Sequence, residues 1–197
     1  SRPVDIIALQ AIADLIAAAK FPVLLAGERV MQPNATAELQ QLAEQASIPV
    51  ITDMACKSAI DEHSPMAIGV MGVVGHRASD RYLKDHADLV ISVGQTFNEI
   101  STLSWDPALA PNGRLIQLDL DPEELGKVYP MLAGSAGHLP TMLSTLAAQL
   151  ADRKLTGQTE RATLVAELRK KLPLFETPEM ASSQVPLMPQ RIVAEMQ

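Results

Sequence analysis

The sequence contains little of what several classes of protein need. Cys56 is the single cysteine among 197 residues, which excludes a disulfide framework and a cysteine-based zinc cage. We expect this thiol to be a small buried side chain rather than a nucleophile. Aromatic residues make up 3% of the chain and the net charge is −7, so we expect no nucleic-acid partner. No apolar run approaches about 20 residues and the N-terminus has no secretory signal pattern, so we predict a cytoplasmic protein without a membrane partner.

Motifs for metal binding and covalent catalysis are also absent. The four histidines do not have the spacing of metal ligands, and the sequence has neither a G-x-S-x-G elbow nor a G-x-x-x-x-G-K-[ST] loop. We therefore predict no catalytic residue and no metal ligand in this chain.

Helical and strand-like segments alternate along the first three quarters of the sequence. Helical periodicity is found at 4–20, 37–46 (with Asn34 as a candidate cap), 76–86 and 139–150, and short apolar runs at 21–26, 47–52, 88–94 and 114–120. Strands without polar alternation are typical of parallel sheets covered on both faces. The pattern predicts an α/β fold, namely a doubly wound, mostly parallel, Rossmann-like sheet with helices on both faces.

The composition changes after Asp152. Residues 164–172 are charged and helical, 173–189 contain four prolines, and 190–196 look like the first turns of a new helix. We therefore predict an α/β domain at 1–152. Residues 153–197 are expected to form a helical, proline-rich and partly extended connector to a cofactor-binding domain that this sequence does not contain.

Candidate ligand-binding residues lie where the predicted strands end, because ligands of open parallel sheets bind at the carboxyl ends of the strands. Gly69, Gly72 and Gly75 are spaced three residues apart and precede Arg77 at a predicted helix start, which suits either a phosphate cradle or a tight packing loop. Asp119 ends a strand and is a candidate for accepting ribose hydroxyls, with a turn or cap carboxylate as the alternative. Asp121 is expected to cap the turn that begins at Pro122.

Several segments together resemble a known family. These segments are 21–27, the L-x-x-L-A-E helix running into 48–50, 57–65, 69–72, 87–94 and 115–127. In this order they are similar to the central domain of thiamine-diphosphate-dependent enzymes of the acetolactate synthase and benzoylformate decarboxylase group. The resemblance covers about residues 3–150, and the segment around Pro189 resembles the entry to the family's next domain.

The resemblance implies a parent enzyme of three α/β domains. The first binds the pyrimidine ring of thiamine diphosphate and the third binds its diphosphate and Mg²⁺ through a Gly-Asp-Gly signature, which this chain lacks. The implied reaction, decarboxylation of a 2-oxo acid with optional transfer of the two-carbon unit, therefore belongs to the whole enzyme. The implied partners are the two flanking domains and further subunits in a homodimer or homotetramer. The substrate and the oligomeric state of this chain alone stay undetermined.

Some central domains of this family hold FAD or ADP. The family's contacts and the strand-end residues together give ten candidate positions: Gly27, Arg29, Thr52, Asp53, Met54, Gly72, Gly75, Arg77, Gly94 and Asp119. Two departures count against a nucleotide. Glu28 stands where FAD-binding members usually have glycine, and Thr96–Ile100 replaces a stretch with two arginines. A structural middle domain is therefore favoured over a nucleotide-binding one. A self-sufficient NAD-dependent enzyme is a third reading, although the zinc cysteines and the early glycine loop of such enzymes are missing.

Overall fold

The computed structural model describes residues 3–173 and 178–196, in which six strands form one sheet. The strands are β1 (Pro22–Ala26), β2 (Val50–Thr52), β3 (Ala67–Val70), β4 (Leu89–Val93), β5 (Leu115–Asp119) and β6 (Ala133–Ala136). All five neighbouring pairs are parallel, in the order β3–β2–β1–β4–β5–β6. This is the doubly wound order in which the direction of chain progress reverses between β1 and β4.

The described part of the chain has six α-helices around the sheet: α1 (Ile6–Ala18), α2 (Thr36–Ala46), α3 (Arg77–Asp85), α4 (Leu139–Ala151), α5 (Gln158–Lys171) and α6 (Pro189–Glu195). The α2 crossover leads from β1 outward to β2, whereas the α3 crossover leads from β3 back across to β4. Because parallel crossovers are right-handed, these two helices lie on opposite faces of the sheet. The α/β fold class predicted from the apolar runs is confirmed.

The centre of the sheet is fully covered. Every residue of β1, β4 and β5 is buried, and α4 packs against both α1 and α2. Asp5 accepts a hydrogen bond from the Ala8 N–H at 3.0 Å and so caps α1.

Two strands and one helix cap differ from the expectation. β3 overlaps the glycine-rich segment 69–75, for which the sequence predicts a loop. β6 reads Ala-Gly-Ser-Ala, which carries no β-branched or aromatic residue. The proposed capping by Asn34 is wrong. Asn34 has a left-handed φ of 54°, a conformation that asparagine tolerates, and Ala35 occupies the cap position without a side-chain hydrogen bond.

The helix α5 packs closely on the sheet domain although it lies beyond the predicted boundary at Asp152. Val165 and Leu168 are buried in the common core. Arg161 is 1% exposed and donates hydrogen bonds to the carbonyls of Lys20, Ala46 and Ser47. The boundary therefore stays a prediction, and α5 is physically continuous with the core.

The proline-rich segment contains local structure in its described part. Residues 178–181 form a 3₁₀ turn, the Val185–Pro186 peptide bond is cis, and α6 follows at the place where a new helix was predicted. Residues 174–177 lie outside the described residues. No helix within 3–173 or 178–196 is long and apolar enough to cross a membrane.

Candidate functional site at the carboxyl edge of the sheet

The candidate residues are distributed over three places along the carboxyl edge. The first is the switch point, where the loops that follow β1 and β4 meet. The Gly27 N–H donates to the Val93 carbonyl at 2.9 Å, and the Arg29 N–H donates to the Gly94 carbonyl at 3.1 Å. A Cβ on Gly27 would lie 2.2 Å from the Gly94 oxygen, so only glycine permits this contact. The two loops therefore close on each other through backbone.

The side chain of Arg29 bridges the switch point to β5. Its Nη1 lies 2.8 Å from Oδ1 of Asp119, and its Nη2 lies 3.2 Å from Oε1 of Glu124. Burial opposes the charge of Arg29, but hydrogen bonds and ion pairing with these two carboxylates outweigh burial and raise the pKa of the guanidinium. Lys127 also approaches Glu124, at 3.0 Å. These charges pair with one another, with Lys127 at the surface, and the ion pairs of Arg29 are with Asp119 and Glu124 rather than with its neighbour Glu28.

The second place is the end of β2. Asp53 is buried, and its Oδ1 accepts from the Ala55 N–H at 2.9 Å, which caps a short 3₁₀ turn. Its other oxygen, Oδ2, accepts a hydrogen bond from the hydroxyl of Ser101. Thr52 is buried, whereas Met54 points outward and is 56% exposed. Asp53 thus joins the β2 end to the long loop after β4.

The glycine-rich loop after β3 is the third place. The Val73 N–H donates to the Ile100 carbonyl at 3.3 Å, and the Gly75 N–H donates to the Gly72 carbonyl at 2.8 Å. A Cβ on Gly72 would lie 2.7 Å from the Ile100 oxygen. Glycine at this position therefore allows close packing of the β4 loop, and two of the loop N–H groups that a phosphate would use are already bonded.

A cavity of about 350 Å³ lies beside this loop, between α3 and the segment 101–109. Apolar side chains line it together with a charged group of residues: Arg77, Asp80, Lys84 and Asp106. Lys84 pairs with Asp80 at 2.8 Å. Gly72, Gly75 and Arg77 are the candidate residues that belong to this cavity; the other seven candidates are not part of its lining.

Two residues that matter at this edge were not predicted. The sequence places Glu124 only in the Pro122 turn, whereas in the structure Arg29 pairs with both Glu124 and Asp119. Ser101 lies in a loop with no recognisable motif, and its bond to Asp53 depends on the tertiary arrangement. Asp121 does cap the Pro122 turn, as expected, by accepting from the Glu123 N–H at 3.0 Å.

Cys56 is placed as expected, in the core and away from solvent. It is 1% exposed and its thiol donates to the Ala26 carbonyl at 3.0 Å. Burial raises the pKa of the thiol to about 12, so it is protonated at neutral pH and a poor nucleophile. Among the described residues, no group of three or more histidine, cysteine, aspartate or glutamate side chains is arranged to hold a metal ion.

Comparison with known proteins identifies a matching family. A family model described as "Thiamine pyrophosphate enzyme, central domain" matches residues 9–146. The chain is 32% identical over 187 residues to a probable acetolactate synthase large subunit of Methanococcus aeolicus, covering 92% of this chain and 31% of that protein. It is 33% identical to an acetolactate synthase of Mycobacterium bovis, covering 88% of this chain and 28% of that protein.

A relative with a different name also matches. The sulfoacetaldehyde acetyltransferase of Alcaligenes xylosoxydans xylosoxydans is 33% identical over 150 residues, covering 73% of this chain and 24% of that protein. The chain therefore spans less than a third of the length of these relatives.

Proposed function

The chain belongs to the family of thiamine pyrophosphate enzyme central domains, and on this premise we propose that it is the noncatalytic middle domain of a larger enzyme. In this role it spaces the two domains that bind thiamine diphosphate and contributes to contacts between subunits. The ordered match over 9–146 and the small share of each relative that the chain covers both support this proposal.

The parent enzyme is, in this proposal, a cytoplasmic homodimer or homotetramer that uses thiamine diphosphate and Mg²⁺. Its reaction is decarboxylation of a 2-oxo acid with or without transfer of the two-carbon unit, which makes it a lyase or a transferase. The names of the relatives, an acetolactate synthase and an acetyltransferase, support this reaction class. The flanking domains hold the cofactor, and this chain holds those domains in position.

The observation that carries the middle-domain role is an apolar surface at the carboxyl edge. Six large apolar side chains from the loops after β2, β3 and β4 are at least 43% exposed: Met54, Val73, Val74, Ile100, Leu103 and Trp105. Exposed apolar residues concentrated in one region are typical of a surface that another protein segment covers. The loops after β3 and β4 carry most of these side chains, and the backbone hydrogen bond between Val73 and Ile100 holds the two loops together.

The test is a substitution on this surface in the full-length parent enzyme. Val74→Asp places a charge where an apolar contact is expected, so turnover of 2-oxo acid or the assembled mass should fall by about ten-fold or more. Ile7→Asp is the matched control, because Ile7 is 79% exposed on α1, outside this edge, and its effect should stay within about two-fold. Unchanged turnover and assembly in Val74→Asp would contradict the proposed role.

The second candidate function is that of a middle domain that also binds FAD or ADP. The observation that favours it is the cavity of about 350 Å³ at the glycine-rich loop, with Arg77 at its lining. Flavin absorbance in the purified enzyme, or a thermal shift with ADP, would support this candidate. The third reading, a self-sufficient NAD-dependent enzyme, has no support from the family match.

A further inference from the structure

The ends of β1 and β5 carry a charged cluster that stands where a nucleotide would bind. In a sheet of this strand order, the crevice beside the switch point is the place for a ligand, and a carboxylate at a strand end accepts ribose hydroxyls. Asp119 is that carboxylate in this chain, and Arg29 is the cation nearest to it, although 90 positions separate them in sequence.

One carboxylate oxygen of Asp119, Oδ1, is already engaged by two protein donors. Its Oδ1 accepts from Arg29 Nη1 at 2.8 Å and from the Asp121 N–H at 2.9 Å, and its side chain is 4% exposed. A ribose hydroxyl could reach this oxygen only by displacing one of these donors. Because hydrogen bonds to a charged group are stronger than those between neutral groups, that displacement is costly for a neutral hydroxyl.

The charge around the crevice also disfavours a diphosphate. Segments 27–30 and 119–127 together contain five carboxylates and two cations. Both cations are engaged, Arg29 with Asp119 and Glu124, and Lys127 with Glu124. A diphosphate entering here would meet an excess of negative charge without a free cation in these two segments.

Arg29 also connects several strand ends at this position. Its backbone N–H bonds to the Gly94 carbonyl, while its side chain bonds to the β5 end and to the turn that contains Glu124. It therefore connects the carboxyl ends of β1, β4 and β5 through contacts of the protein itself.

We infer that Arg29, through Asp119 and Glu124, fills the nucleotide crevice of this domain and takes over the bridging contacts of a nucleotide. The inference deepens the middle-domain function and rests on it: Arg29 is the residue that decides between a structural and a nucleotide-binding middle domain. In this domain the engaged cations and the excess of carboxylates disfavour FAD and ADP at the switch point.

The experiment compares wild type with Arg29→Met and Arg77→Met in the full-length enzyme, using ADP and FAD as probes. Calorimetric titration should detect no binding of either probe to wild type up to about 1 mM. Arg29→Met should lower Tm by several degrees, because it leaves Asp119 buried without its cation. Arg77→Met, at an exposed position with no ion pair recorded within the described part of the chain, should leave Tm unchanged.

Two results would overturn the inference. Wild type could bind ADP or FAD with an affinity that drops ten-fold or more in Arg29→Met, which would make Arg29 a ligand contact. Alternatively, binding could be lost only in Arg77→Met, which would place the nucleotide in the cavity beside α3.

A double-substitution measurement keeps the inference testable if Arg29→Met folds poorly. Asp119→Asn combined with Arg29→Met should lose no more stability than the more damaging single change, since both changes remove the same interaction. If the losses of stability in the two single variants add up in the double variant, the proposed coupling of Arg29 with Asp119 is wrong. Thiamine-dependent turnover, measured in the same wild-type preparation, reports separately on the proposed function.

Discussion

Replacing Arg161 by alanine should strongly destabilise the chain, because this side chain is both buried and fully bonded. Arg161 is 1% exposed, and its guanidinium donates to the carbonyls of Ser47 at 2.7 Å, Lys20 at 2.7 Å, Ala46 at 2.8 Å and Thr156 at 3.1 Å. The first three of these carbonyls lie at or just beyond the C-terminal ends of α1 and α2, where a positive charge is favourable. Burial lowers the pKa of Arg161, yet an arginine remains charged at neutral pH.

The magnitude follows from the four carbonyls that lose this donor when Arg161 is replaced. Each buried group that loses its hydrogen bond costs about 1–3 kcal/mol, and water entering the space vacated by the side chain recovers part of this. We expect a loss of about 4 kcal/mol in the free energy of unfolding. For a chain of 150–250 residues, about 2–4 °C of Tm corresponds to each kcal/mol, so Tm should fall by roughly 8–16 °C.

The assay is thermal and urea unfolding of the 197-residue chain, with Arg81→Ala as the matched control. Arg81 is exposed and pairs with Asp85 one turn away at 3.2 Å, an arrangement worth at most about 0.5 kcal/mol. Arg161→Lys should recover little, since an ammonium cannot match the planar fork of the guanidinium. Equal Tm values for Arg161→Ala and Arg81→Ala would refute the reasoning, because they would show that Arg161 does not hold α5 on the core.

Three further predictions concern the core and the switch point. Cys56 should react with a thiol reagent only as fast as the chain unfolds. Because the pKa of Cys56 in the folded chain, about 12, lies above the unfolded value, its contribution to stability is complete below about pH 9 and is lost as the pH rises toward 12. In urea titrations at increasing pH, Cys56→Ala should therefore lose less stability between about pH 9 and pH 12 than the wild type. Gly27→Ala should lower the free energy of unfolding by about 3 kcal/mol or more, because its Cβ would lie 2.2 Å from the Gly94 oxygen. The control Gly113→Ala, whose Cβ would have no neighbour within 4 Å, should lower it by about 1–2 kcal/mol. Equal losses in the two variants would contradict the close contact at Gly27. Tyr82→Phe should cost about 1 kcal/mol in chemical unfolding, since it removes the bond to the Pro22 carbonyl at 3.1 Å, and an unchanged midpoint would show that this bond adds nothing.

The strands that the sequence predicts are those that the hydrophobic effect alone specifies. β4 reads Leu-Val-Ile-Ser-Val between Asp88 and Gly94 and is buried throughout, so its type could be recognised without tertiary information. β6 has no such pattern and is defined by its register against β5, in which Ile116 faces Ala133. A strand of small residues at a sheet edge is specified by its neighbour, and its own sequence carries little signal.

The sequence predicts where the candidate site lies along the sheet, but it does not predict which side chains pair there. Strand ends locate Gly27, Gly94 and Asp119 correctly at one edge, because parallel strands bring their carboxyl ends together. Which carboxylate pairs with Arg29 depends on the order β1–β4–β5 and on the turn after β5, and no local pattern reports that. For the same reason, the role of Arg161 in a charged helix could not be inferred before the ends of α1 and α2 were placed.

The central claim, that this chain is a noncatalytic part of a thiamine-dependent enzyme, is tested most directly by turnover of a 2-oxo acid such as pyruvate. The measurement compares the full-length parent with the 197-residue chain, each with and without thiamine diphosphate and Mg²⁺. We predict turnover by the parent only when both are supplied, and none by the 197-residue chain. Product formed by the 197-residue chain alone, or by the parent after complete removal of thiamine diphosphate, would contradict the account.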